Sequence, residues 1–191
     1  MKRIIQGFIA LLIVFSMAAC SSKAAPKVGD TYKGGIVFYI LQVGDTGYDS
    51  KVVHGLIAST EDQHTNLKWG LLDYRYVAVP GGTYTTIGTG SANTDSIIAQ
   101  NGSGITYAAG IAHAYNGGGY TDWYLPSLDE LYQLFLNQDI VGGFSNKGYW
   151  SSSEAIGEPS KDNVWIQGFA LDYHYDGMKS NFNSVRAIRS F

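Results

Sequence analysis

A single cysteine, at position 20, sets the first limit on what this chain can become. No thiol follows it, so no disulfide framework staples the fold, and a Cys nucleophile or Cys-ligated zinc site is excluded from residues 21–191. Stability must come from a buried core. The stretch from Cys20 to Phe191 is of ordinary domain length and can bury one. With 24 Gly and 14 Tyr but only 15% charged residues, the full chain calls for many turns and much aromatic surface or core, not a helix bundle.

The segment before Cys20 reads as a leader. Lys2 and Arg3 precede an apolar run, Ile4 to Phe15. That run is far shorter than the roughly 20 residues a bilayer-spanning helix needs. Ser16-Met-Ala-Ala-Cys20 resembles the lipobox of bacterial lipoproteins, with Met17 where Leu is usual. The resemblance implies a diacylglycerol on the Cys20 sulfur, removal of residues 1–19 and acylation of the new N-terminus. Two or three acyl chains anchor stably where one does not. Ser21 stands where the inner-membrane retention signal has Asp, so the resemblance points to the outer membrane, on its periplasmic or external face. Residues 20–27 form a short tether, and residues 28–191 form one domain. Loss of Lys2 and Arg3 takes Lys+Arg from 13 to 11 against 16 acids, moving the net charge from −3 to −5. An acidic domain without a basic run is a poor nucleic-acid binder.

Along the domain, residues 33–41 and 54–59 read as strands with a turn at 44–50, and residues 60–94 as mostly loop. Residues 93–100 predict a short helix ended by Asn101-Gly102. Residues 106–115 predict a second, stopped by Asn116-Gly-Gly-Gly119.

The stretch GGYTDWYLPSLDELYQLF, residues 118–135, concentrates chemistry-bearing side chains. Its Ser127-Leu-Asp-Glu130 fits a capping box, in which the Ser hydroxyl accepts from the N–H three residues on and the Glu reaches back. Leu128, Leu131, Leu134 and Phe135 recur at helical spacing, and Pro126 forces Leu125 out of helical geometry. Asp129 and Glu130 are adjacent, so they point about 100° apart and do not form a natural acid/base pair. No local histidine serves as a base. The stretch reads as a structural joint.

The last third reads as β: residues 148–154, a long strand 163–174, a hairpin turn at Asp176-Gly177, a return over 178–183 and a closing strand 185–191. In the long strand Trp165, Gln167 and Phe169 share one face and Val164 and Ile166 the other, and one set lies in the core. Tyr173, His174 and Tyr175 fall near the expected hairpin tip.

Taken in order, Asp122-Trp-Tyr-Leu-Pro-Ser127, Asp129-Glu-Leu131, Tyr149-Trp-Ser-Ser152, Gly168-Phe169 and Val185-Arg-Ala-Ile-Arg-Ser-Phe191 form a set. It resembles the domain at the C-terminus of bacterial collagen-like adhesins (the Lcl C-terminal family). Residues 29–39, 54–58 and 92–94 match a common version of that domain, so the resemblance spans nearly the whole mature chain. It implies an α+β, C-type-lectin-like fold related to formylglycine-generating enzymes, with short antiparallel strands, two or three short helices and long Gly-rich loops. It makes Trp123, Pro126, Ser127, Glu130, Trp150 and Arg186 structural, and puts the ligand face between Trp150 and Arg186.

From these residues the ligand-binding candidates are Trp165, Gln167, Tyr173, His174 and Tyr175, since aromatic faces stack on sugar rings and serve as interface anchors. No catalytic residue is assigned: the thiols of the formylglycine-generating enzymes are missing, and no metalloprotease, P-loop or nucleophile-elbow motif occurs. No cofactor is expected. Glu158-Pro159-Ser160 with Asp162 is the one weak calcium candidate, having Ser where sugar-binding C-type lectins have Asn. The expectation is a lipid-anchored envelope protein binding a glycan or surface protein, not an enzyme. The rival is a structural lipoprotein subunit docked in an envelope or fimbrial assembly.

Overall fold

The computed structural model describes residues 24–81, 83–155 and 161–191. The expectations for the leader, Cys20 and Glu158 lie outside the described residues. The rest is an α+β fold. Among the described residues no helix is long and apolar enough to cross a membrane.

Two sheets organise the chain. In the first, β1 (Thr31–Tyr32), β2 (Gly35–Ile40), β3 (Gly55–Ala58) and β9 (Ile188–Ser190) lie side by side in that order, all antiparallel. Lys33 and Gly34 turn β1 into β2 with φ of 43° and 92°, the paired left-handed conformation of a tight hairpin. In the second sheet the order is β4 (His64–Leu67), β8 (Asn183–Val185), β5 (Gly148–Glu154), β6 (Asn163–Gly168) and β7 (Tyr173–Met178). Only β5 and β8 are parallel. The chain passes from the second sheet to the first through Arg186 and Ala187, between β8 and β9. β4 forms inside the stretch expected to be loop, because β8 offers it an edge: His64 pairs Val185 and Leu67 pairs Asn183.

Among the described residues four α-helices cover the sheets: α1 (Gly90–Asn101), α2 (Ala108–Ala114), α3 (Leu128–Leu136) and α4 (Gln138–Val141). α1 starts three residues before the expected position and ends where Gly102 takes φ 80°. α3 begins as its sequence dictates. Ser127 is extended and its Oγ accepts from the Glu130 N–H, while Glu130 Oε2 accepts from the Ser127 N–H at 2.8 Å. Leu128, Leu131, Leu134 and Phe135 are buried, each stabilising the fold by about 2 kcal/mol through apolar burial.

The core has two lobes. One gathers Trp69, Trp123, Trp150, Val164, Ile166 and the apolar faces of α1 and α2. The other joins α3 to Phe38, Leu56, Tyr149 and Phe169. Trp150 is fully buried and its Nε1 donates to the Leu67 carbonyl at 2.7 Å. Val164 and Ile166 are therefore the set facing the tryptophan lobe.

The expected hairpin turn is displaced. Asp176 and Gly177 lie inside β7, paired with Trp165 and Val164, and the chain turns at residues 169–172. Phe169 cannot continue a strand because it is drawn into the second lobe, 4.4 Å from Tyr149 and 5.6 Å from Phe135 between ring centres. Gly177 is there for closeness, not for turning: a Cβ at that position would lie 2.6 Å from Ile166 Cδ1.

Candidate functional site

The residues singled out as structural are buried and internally satisfied. Trp123 is 1% exposed and donates through Nε1 to Gly117 O, while Pro126 O accepts from the Ser152 N–H. Ser151, Ser152 and Ser153 follow Trp150 in β5, and all three are fully buried. Ser151 donates to Trp165 O, Ser153 donates to Tyr84 O and accepts from the Leu128 N–H, and Ser152 accepts from Asn93. Glu130 accepts from Ser127 and Gly88 backbone N–H groups, and its burial lifts the carboxyl from 4.5 to about 7. An acid so enclosed meets no substrate.

Arg186 is a clamp. Its Nε donates to Asp62 at 2.8 Å, its remaining nitrogens donate to the carbonyls of Ser59, Gly142 and Gly143, and its plane lies 4.0 Å from the Phe144 ring centre. Arg189 plays the same part nearer the surface, bidentate to Asp122 at 2.7 Å and stacked over Tyr120 at 3.9 Å. That pairing holds the Asp122 carboxyl below its ordinary range.

The ligand candidates separate onto two faces of the β6–β7 pair. Register decides this: Gln167 lies opposite His174, Trp165 opposite Asp176 and Asn163 opposite Met178, so these six share one face. Tyr173 and Tyr175 take the other, where they stack 5.2 Å apart and Tyr175 packs on the tryptophan lobe. Gln167, expected to meet ligand, is fully buried. Its Nε2 donates to Gly168 O and Tyr173 O, tying off the turn.

What the first face presents is a half-buried Trp165 with His174 edge-on at 5.6 Å. Asn163 donates to Asp176 at 2.5 Å beside them. The N-terminal turn of α3 brings Asp129 into the field of His174. Burial raises the Asp129 carboxyl while the imidazole pulls it the other way. The loop at residues 84–86 is bonded to that same helix end, Thr85 O accepting from the Asp129 N–H and Thr86 O from the Ser127 hydroxyl. It carries Tyr84, 64% exposed. An indole face with an imidazole, two carboxylates and an amide around it can stack on the apolar side of a ring and bond its hydroxyls. Asp129, Asn163 and Asp176 were not singled out as ligand groups. The β6–β7 register brings Asn163 and Asp176 beside Trp165, and the start of α3 brings Asp129 into the field of His174.

Of the weak calcium candidates Glu158 and Asp162, only Asp162 lies among the described residues. Asp162 is 2% exposed and lies in the fields of two cations, Arg75, at 4.0 Å, and Lys179. Lys179 is itself buried against Glu154 at 2.6 Å and Val77 O at 2.9 Å. Cations on two sides oppose a divalent ion. Among the described residues no three His, Cys, Asp or Glu side chains converge as metal ligands.

No protein-family model matches this chain, and no curated protein matches it either.

Proposed function

We propose that this chain is a lipid-anchored cell-envelope protein with a C-type-lectin-like domain that binds a glycan through the Trp165 face. The observation that carries the reading is the pairing of a half-buried indole with His174, Asn163 and Asp176 on one face of an edge hairpin, with Asp129 of α3 in the field of His174. The two carboxylates favour a neutral or amino sugar over a polyanionic one. β7 and β1 are the outer strands of different sheets, and the tether leads into β1. The lipid anchor on Cys20 and the outer-membrane location rest on the leader sequence, and loss of acyl labelling in Cys20→Ser is their test.

The decisive experiment is a glycan array with the wild type, Trp165→Ala and Tyr173→Ala. Saturable binding that falls at least tenfold in Trp165→Ala and is unchanged in Tyr173→Ala, with both variants folded, supports the reading. Loss in Tyr173→Ala alone, or no binding at all, overturns it. Turnover of a bound glycan would instead make the protein a hydrolase.

A second reading, a subunit docked in an envelope assembly, is favoured by one feature. Leu72, Tyr76 and Val77 are 55%, 62% and 47% exposed on a single loop. Charged substitutions there would release the protein from such an assembly while leaving glycan binding intact.

A further inference from the structure

A cleft of about 370 Å³ opens between the loop at residues 61–63 and the C-terminal end of α2, and none of its lining residues belongs to the Trp165 face. Its size falls within the range of about 300–1,000 Å³ seen for small-molecule sites. Ile111, Ala114 and Tyr115 give it an apolar wall, and Ile105, 60% exposed, stands at its rim. The Tyr115 ring is fixed in advance. It meets Trp123 edge-on at 5.1 Å and lies over Gly117, where a Cβ would come within 2.3 Å of the phenol.

The polar side of the cleft holds Glu61, Asp62, Gln63 and Asn116. Two of these are already committed. Asp62 is neutralised by Arg186 at 2.8 Å and accepts from the Tyr149 hydroxyl. Gln63 bonds Ser59 and the backbone of Glu61 and Ala187. Glu61 is different. Its backbone carbonyl is held by Ser59 Oγ at 3.0 Å and Gln63 Nε2 at 2.9 Å, so its position is set. Its carboxylate makes no hydrogen bond or ion pair among the described residues, although its charge is felt at the Tyr115 hydroxyl. With Asp62 and Arg186 cancelling, the cleft carries one uncompensated negative charge above an aromatic and aliphatic wall.

We propose that this cleft binds a small organic monocation: an ammonium group paired with Glu61, its ring or aliphatic body lying on Tyr115 and Ile111. Charge and shape each contribute, since a neutral molecule of the same shape forfeits the ion pair and a hydrated inorganic cation forfeits the apolar wall.

The test is a calorimetric and NMR titration of the full chain with benzylamine and, as the neutral match, benzyl alcohol. Benzylamine is expected to bind at least tenfold more tightly, more weakly as salt is raised, and to shift resonances of Tyr115 and Ile111. Glu61→Gln should bring the two probes within about twofold of each other. Ile105→Ser should weaken both. Glu61 and Ile105 are exposed, so neither change threatens folding. Trp165→Ala should leave the amine affinity unchanged, which separates this site from the glycan face. Equal affinity for the two probes, no binding of either at millimolar concentration, or an amine preference that survives Glu61→Gln would each overturn the proposal.

Discussion

The joint around residues 122–135 and the β6–β7 edge are both crowded with polar and aromatic side chains, yet they spend them in opposite ways. At the joint the capping groups are turned inward and paired: Ser127 with Glu130, Glu130 with Gly88, Leu128 with Ser153. At the edge, Trp165 is half buried and Tyr173 and His174 are exposed. The difference teaches that density of reactive residue types does not mark a site. What matters is whether the fold has already used their hydrogen-bonding capacity and their surface.

Substitutions can break that contrast, and the deepest cut is Arg186→Ala. It removes a guanidinium bonded to one carboxylate and three carbonyls and strands Asp62. A loss of about 3–5 kcal/mol is expected, measured by urea denaturation. Arg186→Lys should recover little of it, because an ammonium cannot reproduce the fork.

Next comes pH. Glu130 holds its proton more tightly folded, at about 7, than at its ordinary 4.5. Its contribution to stability is therefore full below about pH 4.5 and is lost as pH rises through about 7. The loss amounts to about 3 kcal/mol. Urea midpoints should fall between pH 5 and pH 8, and Glu130→Gln, which keeps the S-x-x-Q capping pattern, should flatten that fall. A wild-type midpoint that rises over the same interval would contradict the enclosed-acid picture.

Ser127→Ala, deleting the cap and the hydrogen bond to Thr86 O, should cost about 1 kcal/mol, measured by urea denaturation. Smallest of all, Tyr173→Ser at the edge should change stability by less than about 0.5 kcal/mol. A larger loss would mean that the Tyr173–Tyr175 stack is structural and that the edge resembles the joint after all.

Where the signal is local, the chain reads correctly. The capping box of α3 is legible because it depends on groups three residues apart, and the left-handed Gly102 ends α1 for a reason carried by that residue. The span 148–154 was legible as a strand, and β5 has those bounds. The β6–β7 turn was misread because Asp-Gly is a turn signal only when no neighbour claims the glycine. Ile166 does claim it, and Phe169 is pulled into a distant aromatic lobe. Gln167 was misplaced for a related reason: alternation puts it on the same face as Trp165, but that face is open at one end and closed by Phe169 and the second lobe at the other.

By itself the sequence determined that no disulfide would hold this domain, that Ser127 would cap the start of α3, and that short strands and helices would mix. Each of these follows from composition or from contacts a few residues apart. Only the tertiary structure decided that Arg186 spans from Ser59 to Gly143, that Asp129 lies in the field of His174, and that Glu61 keeps a carboxylate with no hydrogen bond or ion pair among the described residues at the edge of a cleft. These groups lie tens of residues apart, and which of them meet is set by strand order and register, which no local pattern encodes.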